Sequence, residues 1–402
     1  MYARILNALS GNWSKTLSAI FLLALVVRII FIFTLQGGYY FADEHIYTAA
    51  ARQLLAQGEF PDDYGRAPLY PLLLAGIYAV IGDGITATRG VQALLGAGLA
   101  VLIASLGKRG GNAAVGAVAG ILWSLYPMGV FIAGLIYPTT LLTLLLLAGV
   151  LSLINRPEAR GYGARCALAG LLFGLGALAK PIVLGAIVCV AGWLLWRRGP
   201  GRFRLAAVFL LAALAALTPW TVRNAQVYHR LVPIEARTLT EVTPWADAGA
   251  AVEQSSPGRA LWLKVADMAR RFPVEFISFF ELYPRRVNLL EQYNRDWAHE
   301  HRPNFVRYTS FGSKLVNAVS IVSVSTLYVF ALVGMRVLWQ ARERRRELAL
   351  LVIMVLSFAL GYAAFWGKIR YRIPVDPYII ILSAWGMVHT LGLLAERARR
   401  KA

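Results

Sequence analysis

Long apolar runs with few or no charges dominate the chain, and its polar residues gather between them. The runs cover roughly Leu17–Leu35, Thr88–Leu106, Ala113–Phe131, Pro138–Ile154, Ala164–Ala179, Pro181–Trp196, Leu205–Trp220, Leu315–Leu338, Leu348–Trp366 and Pro374–Leu394. Each approaches the ~20 residues with which a helix crosses ~30 Å of hydrocarbon. The pattern predicts an all-α, polytopic transmembrane protein with about ten spans, forming a single membrane domain over residues 1–402. The run Leu17–Leu35 is too long for a signal-peptide core. Aromatics and acids follow it rather than a small-residue cleavage site, so it reads as a retained span.

One further apolar stretch, Ala67–Gly82, is short and contains Pro68 and Pro71. Charge decides whether it crosses. If it does not, Lys108 and Arg109, Arg156, Arg160 and Arg165, the Arg197–Arg204 and Arg336–Arg346 clusters and the basic tail all share one side. Eighteen basic residues then face the cytoplasm, and the opposing short loops hold four. Letting Ala67–Gly82 cross would invert that bias against the positive-inside rule. It is therefore expected to lie on or dip into the outer leaflet as a juxtamembrane surface helix. Two extracytoplasmic segments result: a first loop, 36–87, and a second loop or cap, 221–314.

Composition agrees with this reading. The chain is 58% hydrophobic and only 15% charged, too few charges to cover a soluble domain of 402 residues. Its net charge of +20 sits at the ends of apolar runs, which accounts for it by membrane orientation and excludes nucleic acid as the expected partner. The two cysteines, Cys166 and Cys189, fall inside apolar runs and support neither a disulfide framework nor a zinc site.

The polar residues on the expected outer side carry the candidate chemistry. Asp43 and Glu44 open a helix-like stretch, Glu44–Gln57. They favour the helix N-terminus electrostatically, or Asp43 serves as a general base or sugar-hydroxyl ligand. Arg66 stands at the start of the surface helix, where it could meet lipid headgroups or, beside the carboxylates, a phosphate. The short loop with Lys368, Arg370 and Arg372 is basic on the side where insertion disfavours positive charge. A phosphate or pyrophosphate at the outer surface would explain it, with snorkelling to headgroups the plainer alternative. Lys180, at an outer junction, and Arg223, after Trp220, are candidates for the same anionic site. His299-Glu300-His301 lacks the i, i+4 spacing of a helical metal site, and no P-loop, dinucleotide fingerprint or nucleophile elbow is present in a plausible context. No metal site and no cofactor are expected.

Taken in order, these residues resemble the GT-C class of polytopic glycosyltransferases that use polyprenyl-phosphate sugars, a class that includes protein O-mannosyltransferases and the lipid A aminoarabinose transferase. The resemblance runs through Asp43-Glu44, Tyr47, Ala50-Ala51-Arg52, Gln57-Gly58-Glu59-Phe60, Arg66-Ala67-Pro68-Leu69-Tyr70-Pro71, Arg89-Gly90-Val91-Gln92 and Tyr126-Pro127, and ends in Arg370-Tyr371-Arg372-Ile373-Pro374. It covers most of Leu17–Leu394 and is weakest in the second outer loop. It implies a GT-C-like fold with Asp43 as the base that activates the acceptor and Glu44 as its partner. The reaction would be inverting, with Arg66, Arg370 and Arg223 offsetting charge on the departing phosphate. One departure stands out: where many relatives carry an acidic residue, this chain reads Tyr137-Pro138-Thr139-Thr140.

The expected partners are a polyprenyl-phosphate-linked sugar, a lipid, glycan or protein acceptor, and membrane lipids. The expected location is a bacterial inner (plasma) membrane, with the active site on the periplasmic side and both termini cytoplasmic. Two other readings keep the topology: a transporter or flippase of lipid-linked saccharides, and an O-antigen-ligase-like transferase with a pyrophosphate donor. A transporter places polar residues near the bilayer midplane; here Arg28 is the main charge inside a span.

Overall fold

A computed structural model describes residues 11–35, 37–62, 64–154, 161–196, 201–236, 257–282, 310–364 and 369–401. Helices dominate the described residues: α1 (Trp13–Thr34), α2 (Ala42–Gln57), α3 (Leu69–Ile81), α4 (Ile85–Gly110), α5 (Ala113–Leu125), α6 (Pro127–Ala133) and α7 (Thr139–Leu153). They continue with α8 (Tyr162–Ala179), α9 (Val183–Trp196), α10 (Arg202–Tyr228), α11 (Pro257–Phe279), α12 (Ser310–Gln340), α13 (Arg345–Ala363) and α14 (Asp376–Lys401).

Among the described residues, seven helices are long and apolar enough to cross a membrane, and the bent pair α5–α6 raises the number to as many as eight. The other two of the ten expected runs form shorter apolar helices. The runs at Pro138–Ile154 and Pro181–Trp196 form α7 and α9, of only 15 and 14 residues, which rise about 22 and 21 Å.

Helix ends follow local chemistry. Asn112 caps α5 by accepting from the Val115 N–H at 3.0 Å. At the start of α2 the Glu44 carboxylate reaches back to the Phe41 N–H at 2.9 Å, the reciprocal half of a capping box. The α5–α6 pair bends by 57° at Tyr126-Pro127, because proline cannot continue the hydrogen-bond ladder. The bend frees carbonyls, and Arg28 of α1 serves them. Fully buried, it donates to the Trp123 and Ser124 oxygens at 3.5 Å each and to Ala24 of its own helix at 3.0 Å. Gly96 leaves the space for it, since a Cβ there would stand 2.6 Å from Arg28 Nε.

The tightest crossing joins α12 to α14. A Cβ on Gly334 would lie 1.9 Å from the Leu382 oxygen, and one on Gly386 would lie 2.1 Å from that of Phe330. In lipid such small residues let backbones approach where apolar side chains gain nothing over lipid tails. Gly334→Ala is therefore expected to lower the melting temperature in lipid discs, by a penalty of about 1–3 kcal/mol. Gly185→Ala, where a Cβ meets nothing within 4 Å, serves as the neutral control.

The two ends of the bundle differ. At one, Lys108 lies 4.3 Å from the Trp13 ring centroid and Arg344 lies 5.6 Å from that of Trp385. The other end carries Asp43, Arg66, Tyr137 and Lys180. Helix α3 begins and finishes at this second end. Ala67, before it, donates to Glu235 at 3.1 Å, and Asp83, after it, pairs with Arg52 of α2 at 2.5 Å. Along its length Tyr70 donates to Gln92 of α4 at 3.2 Å.

Candidate functional site

Glu44 and Asp43 stand side by side on the first turn of α2 but take different surroundings. Glu44 is fully buried. One of its oxygens accepts from the Tyr40 and Phe41 N–H groups at 2.9 Å, and the other accepts from the Ile136 N–H at 3.1 Å. It thereby staples the first loop to the turn between α6 and α7. Burial pushes its carboxyl above the ordinary value, and the three backbone donors and Arg89 pull the other way.

Asp43 remains open to the surface, with 27% of its side chain exposed. Its Oδ1 accepts from Arg66 at 2.8 Å, and its Oδ2 accepts from the Tyr137 hydroxyl. Burial raises the carboxyl, but the Arg66 charge, the bonds from Tyr137 and Arg66, and the more distant Lys180 outweigh it and hold the group at about 2. Asp43 is therefore a carboxylate at neutral pH.

A cationic layer lies behind this pair. The Lys180 ammonium, just past the end of α8, donates to the Tyr47 hydroxyl at 3.4 Å and stands 5.5 Å from the Tyr137 ring centroid. Arg370, on a short 3-10 turn at 369–371, lies 6.0 Å from the same centroid and bonds the Tyr371 hydroxyl at 3.1 Å. Its Nε is buried without a hydrogen-bond partner among the described residues. Tyr371 stacks on Tyr362 of α13 at 4.2 Å, which fixes the turn against that helix.

The structure thus brings Asp43, Arg66, Lys180 and Arg370 together around Tyr137. The remaining expected site residues lie elsewhere. Arg372 is fully buried. It donates to Asp376 at 2.7 Å, to the Tyr328 hydroxyl at 2.6 Å, to the Glu281 carbonyl at 2.8 Å and to the Tyr126 hydroxyl at 3.4 Å. Tyr126 in turn donates to the other Asp376 oxygen at 2.8 Å. Those donors are directed at protein, away from the Asp43 cluster. Arg223 stands over Trp220, 4.8 Å from its ring centroid, and donates to the Pro61 carbonyl at 3.2 Å, on the flank of the first loop. Lys368 and His299-Glu300-His301 fall outside the described residues. Among the described residues no three His, Cys, Asp or Glu side chains converge as a metal set.

Three participants had no role assigned from the sequence. Tyr137 read only as part of a departure from the resemblance, yet its phenol touches Asp43. Tyr47 joins Lys180 to Arg66, whose guanidinium is 5.7 Å from its ring centroid. Glu235 accepts from the Ala67 N–H at 3.1 Å, and the next residue, Ala236, donates to the Gly65 carbonyl at 3.0 Å. This strap from the second loop holds the segment that carries Arg66.

Residues 65–222 match the family model described as dolichyl-phosphate-mannose-protein mannosyltransferase. The match includes Arg66, Tyr137 and Lys180, and it bears out the resemblance read from the motifs. No curated protein sequence matches the chain. Among solved structures, ArnT from Cupriavidus metallidurans bound to undecaprenyl phosphate superimposes with a TM-score of 0.59 at 16% identity, over 93% of this chain and 60% of that one. The Archaeoglobus fulgidus oligosaccharyltransferase AglB, in complex with an inhibitory peptide and a dolichol-phosphate, gives 0.58 at 13% identity, over 97% of this chain and 52% of that one. At such identities the likeness is one of fold, and this chain spans only half to three fifths of those proteins.

Proposed function

We propose that this chain, whose residues 65–222 carry the dolichyl-phosphate-mannose-protein mannosyltransferase match, is a membrane glycosyltransferase using a polyprenyl-phosphate sugar. The observation that carries the proposal is Asp43, a surface-accessible carboxylate held by Arg66 and Tyr137 with Lys180 and Arg370 immediately behind. A base beside a cluster of cations suits a reaction that removes a proton from a nucleophile while an anionic phosphate departs. The clustering of basic residues at the opposite ends of the spans supports an extracytoplasmic site.

In this reading the acceptor O–H or N–H attacks the anomeric carbon from the face opposite the lipid phosphate. The new bond forms as the anomeric carbon–oxygen bond breaks, the electron pair stays on the phosphate oxygen, and the proton passes to Asp43. Configuration inverts. Lys180, Arg370 and Arg66 offset the charge on the departing phosphate, so a general acid is unnecessary. Glu44 keeps Asp43 in place through its staple to Ile136 rather than by touching substrate. Arg372 acts as a brace for the Arg370 turn.

The flippase reading needs polar groups working inside the spans, and the buried Arg28 is engaged by the carbonyls of the α5–α6 bend. Reconstituted protein offered a panel of synthetic polyprenyl-phosphate sugars should transfer sugar to a lipid, glycan or protein acceptor. Turnover of polyprenyl-pyrophosphate donors alone would favour the ligase-like reading instead. Transbilayer movement of the donor without transfer would overturn the enzyme assignment.

The cations can be ranked by the same preparation. Lys180→Gln and Arg370→Gln should each weaken polyprenyl-phosphate binding about tenfold, equivalent to ~1.4 kcal/mol. Arg223→Gln should change it by less than about twofold, because Arg223 is engaged by Trp220 and the Pro61 carbonyl, away from the Asp43 cluster. A binding titration in lipid discs checks the order.

A further inference from the structure

Tyr137 is shared by the base and the cations of the donor site. Its hydroxyl donates to Asp43 Oδ2, while Lys180 and Arg370 lie 5.5 and 6.0 Å from its ring centroid. Cations at that range draw on the electrons of the ring, leave the phenolic hydrogen more positive and strengthen its donation. A carboxylate held at once by a guanidinium and such a phenol binds a proton poorly.

The surroundings of Asp43 are otherwise one-sided. Arg66 faces it from the first loop, Tyr137 from the α6–α7 turn, Lys180 from the end of α8 and Arg370 from the 369–371 turn, while Tyr47 of its own helix contacts Arg66 and Lys180. Of the nearby acids, Glu44 is buried under three backbone N–H groups, and Glu235 acts on Lys180 from the second loop. An empty site therefore keeps Asp43 a carboxylate too weakly basic to take a proton at neutral pH.

We propose that Tyr137 restrains Asp43 until a phosphate occupies Lys180 and Arg370, so that the donor must be seated before the acceptor can be activated. This rests on the glycosyltransferase reading and adds an order of events to it. A phosphate on Lys180 and Arg370 neutralises their charge and draws them from the Tyr137 ring. The phenol then donates less strongly, and the proton affinity of Asp43 rises when a nucleophile is to be deprotonated. Without the donor the base stays idle. Tyr137 is a positioning residue here, and no bond to it forms or breaks. Burial pushes its phenol well above the ordinary value, so it stays protonated as the donor. Asp43, at about 2 in the absence of ligand, has room to move upward.

Infrared titration of the full chain in lipid discs tests this, with the Asp43 carboxyl band assigned by its loss in Asp43→Asn. The probe is a synthetic polyprenyl phosphate without sugar. In the wild type the probe should move the Asp43 titration upward by about one pH unit or more. In Tyr137→Phe, a change that removes one oxygen, the titration should start higher and respond less to the probe. Binding of the probe with no shift in the wild type, or an equal shift in Tyr137→Phe, overturns the restraint alone. No binding of the probe overturns the donor reading as well, so the two failures are distinguishable.

Discussion

Asp43→Asn is expected to reduce transfer from a polyprenyl-phosphate sugar by about 10²–10⁴-fold, the range that a positioned general base contributes. The amide keeps an oxygen for Arg66 and nearly the same shape, so folding should survive; an unchanged melting temperature separates lost chemistry from lost structure. Donor binding should remain within a few-fold, because the phosphate cations Lys180 and Arg370 are intact. Glu44→Gln provides the contrast. Its new amide nitrogen cannot accept from the Ile136 N–H or from the Tyr40 and Phe41 N–H groups, whichever way it turns. It should therefore lose stability along with activity. Full activity in Asp43→Asn, measured with saturating donor, would remove Asp43 from the mechanism.

Arg372→Met is expected to be the most destabilising single change, at about 3–5 kcal/mol, because it leaves the Asp376 carboxylate buried without its cation. Arg372→Met combined with Asp376→Leu should be milder than Arg372→Met alone, since removing both members of a buried pair avoids the unpaired charge. Thermal unfolding in lipid discs measures both. The site should feel the single change indirectly. Arg372 ties the end of α11, through Glu281, to Tyr328 of α12 and to the α5–α6 bend at Tyr126. Arg370 sits two residues before this knot. A single variant within 1 kcal/mol of the wild type would mean that the buried network contributes nothing to the fold.

The sequence and the structure part company along a physical line. Runs of apolar residues, proline positions and the side of the basic clusters are local or additive features, so the spans and the separate status of Leu69–Ile81 could be read directly. Asp43, Arg66 and Arg370 were legible because their residue types suit an anionic ligand. What could not be read is which donors meet which acceptors across long separations. Tyr137 and Asp43 are 94 residues apart, Ile136 and Glu44 are 92 apart, and Ala67 and Glu235 are 168 apart. Arg370 and Arg372 look alike in the sequence, yet among the described residues one has an unpartnered donor and the other is encased by protein. Only packing tells them apart. Two helix lengths were hidden for a related reason: α7 and α9 are apolar throughout, and composition alone does not show that their helices stop at 15 and 14 residues.

The buried arginine of the first helix bears on how the chain is assembled. An arginine in the middle of an apolar helix raises the cost of insertion by roughly 2.5–3.5 kcal/mol on translocon scales. The rest of α1 is apolar enough to carry it, with a mean hydropathy of 2.6 over its best window. Once inserted alone, however, α1 would present a guanidinium to lipid. Its partners, the carbonyls of Trp123 and Ser124, are made about ninety-five residues later in synthesis. The first helix therefore emerges as an unfinished element, waiting for the broken span to arrive, and the order of biogenesis is written into that one side chain. Capture of Arg28 thereby ties α1 to the proline bend of α5–α6.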